Sequence, residues 1–251
     1  MPAVRYSDAS MMAYEGARRV FRSGEPLVFD EAYRLAHLPL VSPDNPAVIA
    51  RKDGKDYMMG HYARPRYSAV VPIDQESLSR SAQFQEMEAD LRARCFSCKV
   101  QWDICRLRKD ALHATVIGGI SEAAIPATVQ RIQAALAALP PVSLRIGGPF
   151  LGRVNTGRVY FPLYPQLVDG RDALSVVQEA CGAKVSRFFV VGYYNLAAEL
   201  SVDETDQLAR FAERWCERVI AHQQLTGISI LATNDDLVLS ARIVASVPAR
   251  A

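Results

Sequence analysis

Hydrophobic and polar residues follow a regular pattern along the chain from Tyr67 to about Leu139. The run YSAVVPID has the apolar density of a buried strand, and the segment after it repeats apolar residues at helical spacing. The segments VQWDICRL and ALHATVI have the pattern of two strands. The segment SEAAIPATVQRIQAALAALP then has the pattern of a helix that ends at Pro140. The apolar positions of the first predicted helix are Leu78, Phe84, Met87 and Leu91.

The second half of the chain repeats this order of elements. Two strands flank a turn at residues 155–157, and a short helix that ends at Gly182 precedes the strand RFFVVGYYNL. A long amphipathic helix is expected from Ser201 to about Leu225, and two further strands complete the chain. The repetition favours an internal duplication. It predicts an α+β fold of two similar lobes around a central cleft, with a mostly antiparallel sheet in each lobe.

The first 66 residues have a different pattern. A short helix is expected near residues 10–22, and Asp53-Gly54 lies between two β-capable runs, as in a hairpin turn. These elements contain too many apolar residues for a free tail. The sequence therefore predicts an N-terminal extension, residues 1–66, that packs on a bilobal domain formed by residues 67–251.

Composition narrows the class of protein. The chain has 251 residues, a formal charge of +2 and 22% charged residues, which is typical of a globular protein and not of a polybasic or disordered one. No apolar run reaches the roughly 20 residues that a membrane helix needs, and the N-terminus lacks the apolar segment of a secretory signal. We therefore expect a cytoplasmic protein without a membrane partner.

The cysteines suggest one further kind of site. The chain has five cysteines, an odd number that argues against a disulfide framework. Cys95 and Cys98 form a C-x-x-C pair, with Cys105 seven residues further on. A tetrahedral zinc site needs a fourth ligand, which the pattern does not supply. Free thiols are the favoured interpretation, and no metal is expected.

A candidate for chemistry lies in the segment DALHATVIGGISE. On a strand, His113 and Thr115 point to the same face, while Ala114 and Val116 point to the other. Histidine transfers protons near neutral pH, and a neighbouring hydroxyl can donate to a phosphate oxygen. The alternative is a strand histidine without a functional role.

The segment LHATVIGG, followed by a helix, and the order of elements over roughly residues 67–247 resemble the two-histidine (2H) phosphoesterase superfamily. Members of that family carry two H-x-[ST] motifs on the central strands of two pseudo-symmetric lobes. The resemblance implies that two histidines act as general base and general acid on a 2′,3′-cyclic phosphate or a 2′–5′ linkage. It also implies that the hydroxyls hold the phosphate and that neither metal nor cofactor takes part.

The second motif departs from that pattern. His113 lies eight residues before Ser121, and the residue eight before Ser201 is Tyr193, so Tyr193 and Asn195 take the places of the second histidine and hydroxyl. A pair with His113 as base and Tyr193 as acid is one interpretation. A packed aromatic residue in an aromatic run is the other.

Two arginines and a tyrosine extend the candidate site. Arg153 and Arg158 flank the turn at residues 155–157, and Tyr160 follows on the next strand. Guanidinium groups suit a phosphate, and a tyrosine can stack on a base. Arginines that flank a turn are often merely solvated.

Three functions remain open from the sequence. The first is a divergent, metal-independent phosphodiesterase that acts on a cyclic phosphate, a nucleotide or the phosphodiester of an RNA end. The second is a catalytically impaired protein that binds a phosphorylated small molecule or nucleotide on the same scaffold, and the third is a structural or partner-binding domain. Under the first two, an anion should bind between His113, Thr115 and Asn195. Its binding should weaken as the pH rises through the histidine pKa.

Overall fold

Ten of the twelve strands in the described part of the chain form one large antiparallel sheet. The structure is a computed structural model that describes residues 4–250. The helices are α1 (Tyr14–Ala17), α2 (Glu31–Ala36), α3 (Leu38–Val41), α4 (Gln75–Arg80), α5 (Ala82–Arg92), α6 (Trp102–Leu107), α7 (Ile125–Ala138), α8 (Ala173–Ala180) and α9 (Val202–Trp215). The strands are β1 (Tyr57–Met58), β2 (His61–Pro72), β3 (His113–Ile120), β4 (Ser143–Gly147), β5 (Phe150–Leu151), β6 (Arg158–Pro165), β7 (Leu167–Val168), β8 (Arg171–Asp172), β9 (Val190–Asn195), β10 (Val219–Gln224), β11 (Gly227–Asp235) and β12 (Arg242–Pro248).

The order of strands in the large sheet is β10-β4-β6-β9-β3-β2-β11-β12, with β1 beside β2 and β5 beside β6. The strands β7 and β8 form a separate pair. The α+β class and the antiparallel pairing are therefore confirmed, but the strands predicted for two lobes belong to one continuous sheet. The strands of the two candidate motifs, β3 and β9, are neighbours at its centre. None of the helices between residues 4 and 250 is long and apolar enough to cross a membrane.

Four predicted elements differ in the structure. The first predicted helix is divided into α4 and α5 at Ser81, which has an extended backbone. The other three differ because tertiary contacts override local propensity. The predicted strand VQWDICRL contains the helix α6, and only its first residues pair with the end of β9, where the backbone of Gln101 donates to the carbonyl oxygen of Asn195 at 2.8 Å. The predicted long helix ends at Trp215, and the chain continues as β10 along the edge of β4. The predicted helix at residues 10–22 is only α1, because the backbone of Arg19 donates to the carbonyl oxygen of Leu151 instead.

The N-terminal segment contributes to the main hydrophobic core. Tyr14 and Tyr33 are fully buried in it, together with Leu27, Phe29 and Leu38. The hydroxyl of Tyr33 donates to the carbonyl oxygen of Leu196 at 2.8 Å. The predicted boundary after residue 66 falls inside the continuous strand β2, which begins at His61. Residues 4–66 and 67–250 are thus joined by a shared strand as well as by packing.

We expect Tyr14→Ala to lower the free energy of unfolding by about 3–5 kcal/mol, the usual cost of truncating a buried aromatic side chain. The control is Val20→Ala, because Val20 is 80% exposed and should change stability by less than about 0.5 kcal/mol. Denaturant unfolding measures both changes. Equal, small effects of the two substitutions would show that the segment does not belong to the core.

Candidate functional site

A small cleft lies on the face of the sheet to which His113 and Thr115 point. Its volume is about 250 Å³, and β2, β3, β6, β9 and β11 all contribute to its walls. The opposite face of β3 carries the buried side chains of Ala114 and Val116. The alternation predicted for H-x-T is therefore confirmed. The polar residues that line the cleft include Arg66, Ser68, Arg108, His113, Thr115, Arg158, Tyr160 and Thr233.

A β-bulge in β9 decides which residues of the second motif reach this cleft. Val159 pairs with Tyr194 and Tyr160 pairs with Gly192, so Tyr193 is the extra residue. Tyr193 and Tyr194 consequently share the other face, where their rings are 4.6 Å apart and both contact Phe161.

Tyr193 is a packed aromatic residue outside the cleft. Its hydroxyl accepts a hydrogen bond from Nε2 of Gln75 at 3.1 Å, in a separate cavity on the helix-covered face. Burial raises the pKa of its hydroxyl far above the usual value. The structure therefore does not bring together His113 and Tyr193 as a base and acid pair.

The residue opposite His113 is Gly192. Ala114 pairs with Val191, so one further step in antiparallel register places His113 across from Gly192 and Thr115 across from Val190. A Cβ atom on Gly192 would lie 2.2 Å from Nε and 2.4 Å from Cζ of Arg158. The guanidinium of Arg158 thus occupies the space that any side chain at position 192 would need.

Two buried guanidinium groups meet at this point. Arg108 and Arg158 are only 2% and 8% exposed. The carbonyl oxygen of Gly192 accepts from Nη1 of Arg108 at 2.9 Å and from Nη2 of Arg158 at 3.4 Å. Nη1 of Arg158 also donates to the carbonyl oxygen of Asp236 at 3.1 Å and approaches Nε2 of His37 to 2.7 Å. The Nε atoms of both arginines are buried without a hydrogen-bond partner among the described residues.

Carboxylates do not neutralise this pair. Within residues 4–250, every ion pair closer than 4.0 Å involves other side chains. The buried Asp235 attracts Arg108, but its oxygens accept from the backbone of Leu239 and from the backbone and hydroxyl of Ser240. Burial and the positive charge of Arg158 lower the pKa of Arg108 to about 9, so Arg108 stays protonated at neutral pH.

His113 is a neutral side chain with a free ring nitrogen. Its Nδ1 lies 2.8 Å from the carbonyl oxygen of Ala111, so Nδ1 carries the proton and Nε2 is an acceptor. Burial, reinforced by the charges of Arg108 and Arg158, lowers the pKa of His113 to about 4. With a pKa of about 4, the ring adds no positive charge near neutral pH, and the charged groups beside it are Arg108 and Arg158.

The remaining predicted residues separate into two groups. Thr115, Arg158 and Tyr160 line the cleft with His113. Asn195 and Arg153 do not. Asn195 is fully buried, and neither polar atom of its side chain has a hydrogen-bond partner in the described part of the chain, whereas Arg153 is exposed in a neighbouring depression. The cysteines are free thiols, and no cluster of three metal-ligating side chains occurs in residues 4–250.

The residues selected from the sequence for the site did not include Arg108 or His37. Arg108, with Arg106 and Lys109, was open to the same two interpretations as Arg153 and Arg158, phosphate contact or simple solvation, and His37 was assigned to a proline-rich connection. Arg108 belongs to a basic run next to His113, but that segment was expected to be a strand and not the end of α6. His37 lies between α2 and α3 in the N-terminal segment, 121 residues away from Arg158 in sequence. Only long-range packing brings it to the site.

Comparisons with known proteins add little to this geometry. No family model matches the chain, and no curated protein matches it either. Among solved structures, TT0787 of Thermus thermophilus is similar, with 13% sequence identity and a TM-score of 0.43. The match covers 74% of this chain and 98% of that chain. A likeness at this level does not establish a common fold or activity.

We expect the His113 ring to remain neutral from pH 8 down to about pH 5, because its pKa is about 4. In the unfolded chain the imidazole is protonated below about pH 6.5. The contribution of the neutral ring to the free energy of unfolding is therefore complete above that pH and is lost as the pH falls towards 4. NMR titration of the imidazole measures the pKa. Arg108→Met should raise it, whereas the exposed Arg80→Met should not. Titration of the wild-type ring near pH 6.5 would contradict the geometry.

We expect Gly192→Ala to destabilise the protein by about 1–3 kcal/mol, because the added methyl group overlaps the guanidinium of Arg158. Gly118→Ala is the matched control: it also lies in a strand, and a Cβ there meets no atom within 4 Å. Thermal or denaturant unfolding of both variants provides the comparison. Equal stability of the two variants would show that Arg158 does not lie over Gly192.

Proposed function

We propose that the cleft binds the phosphate group of a phosphorylated small molecule, a nucleotide or an RNA end. The observation that carries this proposal is the pair of buried arginines, for which the described residues provide no carboxylate partner. Burying a charge without a counter-charge costs several kcal/mol, and a bound anion would offset this cost. Guanidinium groups present parallel donors that fit phosphate oxygens.

The neighbouring groups complete such a site. Thr115 supplies a hydroxyl donor to the same cleft as the two guanidinium groups, and Tyr160 supplies an aromatic ring to its wall. His113 offers a free Nε2 that accepts a hydrogen bond from a protonated phosphate or a ligand hydroxyl. The mixture of cationic donors and one neutral acceptor favours a phosphate ester over a simple halide or a metal ion.

We also propose that the scaffold is a divergent 2H phosphoesterase with an internal duplication. In the sheet, β2 and β6 lie on the outer sides of the central pair β3 and β9, and a helical segment connects each outer strand to its central strand. This symmetry supports a duplicated origin. In this interpretation Gly192, and not Tyr193, stands where the second histidine of the family would be, with Arg158 filling the space.

Hydrolysis of a phosphodiester is the second candidate function. It is favoured by the free Nε2 of His113, which is in the protonation state that a general base needs. The cleft contains no second histidine to act as the acid, so we place phosphate binding before efficient turnover.

We expect calorimetric titration with sulfate or inorganic phosphate to show binding to the wild type. Arg108→Met and Arg158→Met should each weaken it about tenfold or more, because a hydrogen bond to a charged group contributes about 1.5–3 kcal/mol. Arg153→Met is the control, since Arg153 lies outside the cleft. Sulfate affinity should not vary as the pH rises from 6 to 8, because His113 is neutral throughout this range.

The second candidate is tested in the same preparation with 2′,3′-cyclic nucleotides and 2′–5′ dinucleotides. If hydrolysis occurs, His113→Ala should reduce it by about a hundredfold or more, whereas Tyr193→Phe should leave it nearly unchanged. The contrary outcome is an anion affinity that is unchanged in both Arg108→Met and Arg158→Met, together with no hydrolysis of any diester. Only a structural role would then remain for the cleft.

A further inference from the structure

The contact between His37 and Arg158 links the N-terminal segment to the cleft. Nη1 of Arg158 approaches Nε2 of His37 to 2.7 Å, and the two residues are 8% and 2% exposed. A guanidinium only donates hydrogen bonds, so Nε2 of His37 must be the acceptor. The proton of this neutral ring is then on Nδ1.

The orientation of the His37 ring leaves one of its nitrogens unsatisfied and is fixed by a neighbouring aromatic ring. Its Nδ1 is buried without a partner among the described residues, and an unsatisfied buried donor is unfavourable. The ring stacks on Tyr33, with centroids 5.4 Å apart and planes at 6°. Because the hydroxyl of Tyr33 donates to the carbonyl oxygen of Leu196, the stack is fixed to the segment that follows β9. This arrangement directs Nε2 towards Arg158 and leaves Nδ1 unsatisfied.

The groups that accept hydrogen bonds from Arg158 determine whether its charge is neutralised within the cleft. The acceptors of Arg158 are the ring of His37 and the carbonyl oxygens of Gly192 and Asp236, and all three are neutral. Burial and the positive charges of Arg158 and Arg108 lower the pKa of His37 well below its ordinary value, so the ring remains neutral. A carboxylate in its place would hold the guanidinium equally well but would cancel its charge.

We propose that His37 is a positioning residue of the anion site, which holds the Arg158 guanidinium through a neutral acceptor and leaves its charge to the bound phosphate. This inference rests on the proposed function. It makes α2 and α3 a part of the site, and it explains why the N-terminal segment contributes a buried histidine at the junction between these two helices.

The test is calorimetric titration with inorganic phosphate, using the full chain. His37→Leu removes the acceptor and should weaken binding about tenfold, whereas His37→Gln keeps a neutral acceptor and should stay within about threefold of the wild type. His37→Glu also keeps an acceptor but adds a negative charge, and it should weaken binding more than His37→Leu does. In an Arg158→Met background, His37→Leu should have no further effect.

The control for loss of anchoring is Asn45→Ala, because Nδ2 of Asn45 donates to the carbonyl oxygen of Ala197 without touching Arg158. It should leave phosphate affinity unchanged. Two results would overturn the inference. One is that Asn45→Ala weakens phosphate binding as much as His37→Leu does, and the other is that His37→Glu binds phosphate as tightly as the wild type. If His37→Leu does not fold, the comparison between His37→Gln and His37→Glu decides. If the wild type itself binds no phosphate, the proposed function fails first, which is a distinguishable result.

Discussion

Two like charges are held beside each other in the interior of this protein, and the structure around the cleft depends on that arrangement. The guanidinium groups of Arg108 and Arg158 share the carbonyl oxygen of Gly192 and have no carboxylate within ion-pair distance among the described residues. Neutral acceptors reduce the cost of burying them but do not remove the charge. The nearby Asp235 forms hydrogen bonds within its own loop instead of an ion pair. The positive charges of both arginines act on the ring of His113 and contribute to its lowered pKa.

This arrangement requires a particular backbone in β9. Only a residue without a side chain leaves room for the guanidinium of Arg158 opposite His113, and Gly192 satisfies that condition. The adjacent bulge turns Tyr193 and Tyr194 together into the core under α5, where they pack against Phe161. The same irregularity therefore removes a tyrosine from the cleft and builds the hydrophobic layer behind it.

The N-terminal segment is coupled to the cleft through the same arginine. Tyr14 and Tyr33 fix this segment in the main core, and His37 extends from it to Arg158. The cleft and the N-terminal segment are thus in direct contact through buried side chains, so a substitution that loosens this segment also disturbs the position of Arg158 in the cleft. A change far from the cleft in sequence can alter the orientation of its charge.

The sequence by itself determined the α+β class, the alternation that turns His113 and Thr115 to one face, and the cap of α9 at Ser201, because strand period and capping are local properties. It did not determine the partner of His113. Counting from the helix cap indicated Tyr193, but the β-bulge and the antiparallel register selected Gly192. Tertiary contacts, and not the local pattern, also decided that residues 102–107 form α6 and that residues 219–224 pair with β4 as β10. The meeting of His37, Arg108 and Arg158 was decided by tertiary structure alone, since no local pattern encodes contacts between segments so far apart in the chain.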